Sequence, residues 1–141
     1  MTIQKSDISA IVKDNEQAVL RALDSADYIQ TFLLVHALIE SLLRVFLNKQ
    51  ESRLTFDELI KEYQKFLTEV QYPIPTFVEQ LTQFNRRRNR MIHDLWKKGH
   101  SLTNQQAKGA AQASIMMYGL FIEWLETFDP DIVNSGFEYD G

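Results

Sequence analysis

The chain has 141 residues, 45% of them hydrophobic and 24% charged, with a formal net charge of −4 at pH 7. That length and balance fit one globular domain built round a single core. The absence of cysteine excludes a disulfide framework, a thiolate metal site and every enzyme with a cysteine nucleophile, and makes a reducing, cytoplasmic setting the simplest expectation.

Helical periodicity runs through nearly the whole chain, and strands are not required. The opening "MTIQKSDISAIVKDNEQ" scatters charges where a signal peptide would carry an apolar run, so none is expected. A first helix is predicted from a Ser6 or Asp7 cap to about Asp24, with Ile8, Ile11, Val12, Val19 and Leu23 on its apolar stripe. A second, over roughly 27–48, is apolar on most sides. Its run "FLLVHALIESLLRVFL" includes His36, Glu40, Ser41 and Arg44, which marks a central bundle helix rather than a membrane span. The expectation is a soluble protein.

"TFDELIKEYQKFL" offers a Thr55/Glu58 capping box and then an amphipathic helix to about Val70. Pro73 and Pro75 stop it, because a helix interior tolerates neither. Thr76 and Glu79 repeat the capping pattern and open a fourth helix that runs into the basic stretch "RRRNRMIHDLW" (86–96). Gly99 to Thr103 is the next break, and a Thr103/Gln106 pair opens a last helix to about Phe128, closed by "DP" at 129–130. The stripe of large apolar residues in "SIMMYGLFIEWLETF" (114–128) suits core packing or a dimer interface. The segment 129–141 reads as an acidic, mobile end to a single helical domain over 1–128. The predicted architecture is all-α, an antiparallel bundle of about five helices.

Charge is unevenly spread. Between 83 and 100, Arg86, Arg87, Arg88, Arg90, Lys97 and Lys98 face only Asp94, whereas from 123 onward six carboxylates have no basic counterpart. A local positive field on an acidic protein suits docking of a polyanion. On the fourth helix, Phe77, Leu81, Phe84, Met91 and Leu95 form one apolar stripe, and Arg88 falls near its middle. A guanidinium facing a core needs a partner. Glu40 is the candidate for a supporting ion pair, on a polar stripe His36, Glu40, Arg44 that reads equally well as the solvent edge of the second helix. His93 is the histidine of the basic cluster, and histidine is the side chain most often used for proton transfer of the kind an RNA 2′-hydroxyl needs. His36 and His100 lack a matching carboxylate set for a metal site, and Gly99 and Gly109 form no phosphate loop.

The residues "RNRMIH" (88–93) resemble the R-x(4–6)-H motif of the HEPN superfamily, in the form where a polar residue follows the arginine. The order of helices round the motif agrees with that resemblance over nearly the whole chain. The resemblance implies a small dimeric helical bundle acting as a metal-independent endoribonuclease, of the kind found in toxin–antitoxin, phage-defence and RNA-processing systems. It implies Arg88 and His93 as the catalytic pair, with Asn89 as the motif's polar residue. Arg86, Arg87, Arg90 and Lys97 would bind RNA phosphates, and neither metal nor cofactor would be needed. The implied partners are a second copy of the chain, RNA and an antitoxin protein, with no membrane. Some members are non-catalytic dimeric modules that bind a partner protein, nucleotide or RNA, and that alternative stays open. So does the choice of motif arginine, because Arg86 and Arg87 also satisfy the spacing to His93. In members that are inactivated by tyrosine modification a tyrosine stands where this chain has Leu95, so that control is not expected. On one regular helix, Arg88 and His93 point about 140° apart. Either the helix unwinds after Asn89 or each phosphate meets groups from two chains.

Overall fold

The computed structural model describes residues 5–138, with side chains described from Ile8 onward. Among the described residues it contains six α-helices and one 3-10 turn, and no strand. They are α1 (Lys5–Asp24), α2 (Tyr28–Phe46), α3 (Phe56–Glu69), α4 (Val78–Lys98), α5 (His100–Gln106) and α6 (Lys108–Glu126), followed by the turn Ile132–Ser135. The all-α bundle predicted from periodicity is therefore the observed class.

Helix α2 is the hub, packing against every other helix and the 3-10 turn. Its residues Val35, Leu38, Ile39, Leu42 and Leu43 are at most 1% exposed. Burial of each contributes about 1.5–3 kcal/mol as an upper bound. By length and composition α2 could cross a membrane, yet half of its span is buried inside the bundle, as a central bundle helix requires. Asp27 caps its start by accepting the Gln30 N–H. On α1, Ile8, Val12, Val19 and Ala22 face inward, whereas Ile11 is 55% exposed.

Three local signals met different fates. The Thr55/Glu58 capping box forms with both of its hydrogen bonds, starting α3 as predicted. The Thr76/Glu79 pair does not act as a box. Instead α4 starts from Phe77, which has φ +69° and provides no side-chain cap. Tertiary contacts hold that start: the Phe77 ring lies 5.1 Å from Phe121, and the buried Tyr63 hydroxyl donates to the Thr76 carbonyl while accepting the Trp124 indole N–H. The Thr103/Gln106 box is also absent, because Thr103 lies inside α5 and α6 begins only at Lys108.

The expected break over 99–103 shrinks to Gly99 alone, which raises the helix number above five. Its φ of +85° turns the chain in one residue, and α5 follows at once. Asn104 then ties α5 to the α1–α2 corner, accepting the Ile29 N–H at 3.1 Å and donating to the Ala26 carbonyl at 2.9 Å.

The segment after α6 is not a loose end as far as residue 138. Ile132 and Phe137 are each 1% exposed and join the core against α1, α2 and α6. Gly136 makes the approach possible: with φ +99°, it lies so close to α1 that an added Cβ would be 2.8 Å from the Ser9 Cα. Glu16 fastens the same corner. It accepts from the Tyr118 hydroxyl at 2.8 Å and the Glu138 N–H at 2.9 Å, while Lys13 pairs with Glu138. Burial pushes the Glu16 carboxyl and the Tyr118 hydroxyl above their ordinary pKa values. The remainder of the expected tail, 139–141, lies outside the described residues.

Substituting Gly136→Ala adds a Cβ against the α1 backbone at a left-handed φ. It should cost at least about 1 kcal/mol, lowering Tm by about 3–5 °C or more. A thermal melt indistinguishable from wild type would show that 132–137 does not dock on α1.

Candidate nucleic-acid interface

Helix α4 runs without interruption from Val78 to Lys98, and its rotation about its own axis decides which residues meet solvent. Leu81, Phe84, Asn85 and Met91 face inward. The polar member, Asn85, sets that rotation. Its Oδ1 lies 3.0 Å from His36 Nε2 and its Nδ2 donates to Asp57 Oδ1 at 3.0 Å, linking α2, α3 and α4. Because Nδ2 is committed to the carboxylate, Oδ1 can only accept, so His36 Nε2 carries the proton in that bond. The ring is 7% exposed and stacks at 4.4 Å on Phe56 and 5.2 Å on Phe84. Burial pushes its pKa below 6.5; the Asn85 bond opposes the shift, and the nearby Arg88 charge adds to it. His36 is thus a satisfied core histidine, with Asn85 as its partner and Asp57 holding Asn85 in turn, two residues that sequence reasoning did not single out. Asn85 had a signal: it is a polar residue inside the same apolar stripe that drew attention to Arg88.

On the opposite side of α4, Arg86, Arg87, Asn89, Arg90, His93, Trp96 and Lys97 are exposed. Arg86, Arg90, His93 and Lys97 fall within about 60° of one another round the helix. The His93 ring meets the 76%-exposed Trp96 edge-on, with centroids 5.1 Å apart. Among the described residues, Arg86, Arg87, Arg88, Arg90 and Lys97 make no salt bridge, and only Lys98 pairs, with Asp94 at 3.8 Å. The positive field of the cluster is therefore almost undiminished by internal pairing.

Arg88 behaves differently from its neighbours and from its expectation. It is half-buried, and its Nη1 donates to Asn89 Oδ1 at 3.0 Å, so the two motif residues are joined to each other. The expected Glu40–Arg88 pair does not form. Glu40 instead meets Arg44, one turn along α2, at 3.3 Å. Arg44 also donates to the Leu54 and Ser52 carbonyls at 2.6 and 3.1 Å, stapling the α2–α3 loop. A same-helix partner and two loop carbonyls hold Arg44 without ordering a second long side chain, while Arg88 keeps enough water to need no buried counter-charge. The stripe His36, Glu40, Arg44 is neither the expected cross-helix pair nor a plain solvent edge. It is the seam where α2 meets the α2–α3 loop and α4.

Since α4 does not unwind after Asn89, Arg88 and His93 remain on different sides of it. The structure brings His93 together with Arg86, Arg90 and Lys97, and Arg88 together with Asn89, but not the two groups with each other within one chain. Beside the basic face, α4 and α6 diverge over a groove of about 1100 Å³. Phe32 and Phe84 line its base, Arg86 and Arg90 one side, and Met116 and Leu120 the other. Met116 is 70% exposed and Leu120 51%, so α6 also presents apolar surface to solvent. Among the described residues no group of three or more His, Asp or Glu side chains could hold a metal ion. No protein-family model matches the chain, and neither a curated protein nor a solved structure does.

The buried neutral His36 makes the fold acid-sensitive. Folding favours the unprotonated ring, so its contribution is complete above the unfolded pKa of about 6.5 and falls away as pH drops below that value. In His36→Gln the amide N–H still reaches Asn85 but has no proton to take up. Denaturant melts from pH 7.5 to 5 should show wild type losing stability that the variant retains. Parallel pH profiles would contradict the neutral burial.

Proposed function

We propose that the chain is a HEPN-type, metal-independent endoribonuclease that works as a homodimer in the cytoplasm, as a toxin or phage-defence effector. One observation carries this reading: His93 is exposed among Arg86, Arg90 and Lys97, none of which makes a salt bridge among the described residues. Such a face concentrates phosphate round an imidazole, a side chain suited to general acid–base chemistry.

The chemistry proceeds within the RNA. A His93 imidazole takes the proton from a 2′-hydroxyl, whose oxygen bonds to the adjacent phosphorus as the P–O5′ bond breaks. The departing O5′ takes a proton from a His93 imidazolium, restoring the neutral ring and leaving a 2′,3′-cyclic phosphate and a 5′-hydroxyl. Arginine guanidinium groups hold the non-bridging oxygens as charge builds on them. With α4 straight, the motif arginine and histidine reach one phosphate only from two protomers, Arg88 from one and His93 from the other. Exposed Met116 and Leu120 supply apolar area for the second copy beside the basic face. The doubled basic face gives an acidic protein its attraction for RNA.

A second reading, a non-catalytic dimeric module that binds a partner protein, nucleotide or RNA, is favoured by the Arg88–Asn89 bond, which turns the motif's polar residue away from a substrate role. The two readings part on a single assay. With total RNA and transfer RNA in the presence of EDTA, the nuclease reading expects cyclic-phosphate fragments from wild type. It expects a rate loss of about 10²–10⁴ in His93→Ala, with folding intact because His93 is exposed. A folded wild-type dimer that leaves both RNAs whole at high concentration would instead establish the binding module.

A further inference from the structure

The chain has two tryptophans, and only one of them is built into the bundle. Trp124 donates its indole N–H to the Tyr63 hydroxyl and packs edge-on against Tyr72 and Phe128. Trp96, near the end of α4, is 76% exposed, more than any other large hydrophobic side chain among the described residues. Its one ring contact there is the edge-on meeting with His93, at 5.1 Å between centroids, and its indole N–H has no hydrogen-bond partner. An edge-on contact occupies at most one face of the indole. A flat apolar face therefore lies open to solvent beside His93.

The surroundings of that face indicate what covers it. On the helical wheel His93 lies about 60° to one side of Trp96, and Arg86, Lys97 and Arg90 follow at about 80°, 100° and 120°. Round the helix the order is thus flat apolar ring, imidazole, cations. A nucleotide carries its parts in the matching order: a flat base, a sugar with its 2′-hydroxyl, and a phosphate. With the base on the indole and the phosphate against the cations, the sugar falls over His93. An apolar protein segment would cover the ring equally well, but it would bring no charge to the cations beside it. An indole stacks on any base, and a base has a π-face to offer only where it is splayed out of a duplex.

We propose that Trp96 is a base-stacking platform that makes the His93 face selective for unpaired nucleotides. The inference rests on the reading that this face receives RNA, and it adds a discrimination the cations cannot supply, because phosphates are present in single strands and duplexes alike. Trp96 is a positioning residue: the indole, met by His93 on one side, takes the base on its open face and so holds the adjoining sugar at the imidazole. Proton transfer stays with His93.

The test measures binding of a labelled 2′-O-methyl oligoribonucleotide, which cannot be cut, as a single strand and annealed to its complement. The full chain is used as wild type, Trp96→Phe, Trp96→Ala and Ile74→Ala, the last removing an apolar side chain that is 61% exposed in the loop between α3 and α4. Trp96→Ala should bind the single strand about tenfold or more weakly and the duplex nearly as before. Trp96→Phe should stay within about threefold of wild type, because a phenyl ring still stacks, and Ile74→Ala should match wild type. Indole emission should be quenched as the single strand binds wild type, and that quenching should vanish in Trp96→Phe, where Trp124 alone remains. All four proteins should melt together, since both side chains are exposed. Equal single-strand affinity in wild type and Trp96→Ala would overturn the proposal, as would an equal loss on both forms of RNA. So would a Trp96→Ala variant that sediments as a smaller species than wild type, which would assign the ring to the contact between copies. Binding of neither RNA by any of the proteins would remove the RNA-binding reading and the platform with it. Single-strand binding that depends on Trp96, in a wild type that cuts no RNA, leaves the platform standing and removes the nuclease.

Discussion

A neutral histidine buried among aromatic rings organises this molecule. His36 has to give its Nε2 proton to an acceptor inside the bundle, and the acceptor is Asn85 on α4, itself held by Asp57 on α3. A buried polar group without its partner costs about as much as a substantial share of a small domain's stability. Register and rotation of three helices are therefore coupled through one chain of hydrogen bonds. Apolar packing alone tolerates a helix turned by some tens of degrees. A directional bond between named atoms does not.

That coupling decides what α4 shows to solvent. With Asn85 turned inward, Arg86, Arg90, His93 and Lys97 turn outward, and Arg88 is left half-buried near His36. The basic face is thus the outer side of a helix whose inner side is pinned by the His36 chain. Among the described residues Arg86, Arg90 and Lys97 make no salt bridge, and the Glu138 carboxylate is held far along the chain from them. Glu138 is engaged with Lys13 and Glu16 at the α1 corner, where Gly136 lets the chain come against the α1 backbone. The basic face thus forms a local positive field on a protein whose net charge is negative.

The residues that failed their sequence expectations share a cause. Thr55/Glu58, Thr76/Glu79 and Thr103/Gln106 show similar spacing, yet only the first forms a box. At Thr55 both local bonds close, at 3.0 and 3.2 Å. At Thr76 the Tyr63 hydroxyl takes the backbone carbonyl and the Phe77 ring packs toward Phe121, so distant aromatics set the start of α4. At Thr103 the chain is already helical, because Asn104 is drawn to the free groups of the α1–α2 corner. Glu40 likewise pairs with a near neighbour, Arg44, which the loop carbonyls already hold in place. Ile132 with its neighbour Val133, and Phe137 four residues on, are too few apolar residues in an acidic stretch to carry a period from which burial can be read.

The sequence by itself determined the helical class, the all-round apolar character of α2, the inward stripe of α4, the cap that starts α3 and the clustering of cations round His93. Each follows from residues within one or two turns of each other, where spacing alone settles the geometry. Only the tertiary structure decided the His36–Asn85–Asp57 chain, the turn at Gly99 with α5 behind it, and the docking of 132–137. These depend on groups from separate helices satisfying one another. Such pairing is a long-range choice among competing donors and acceptors, and local periodicity does not encode it.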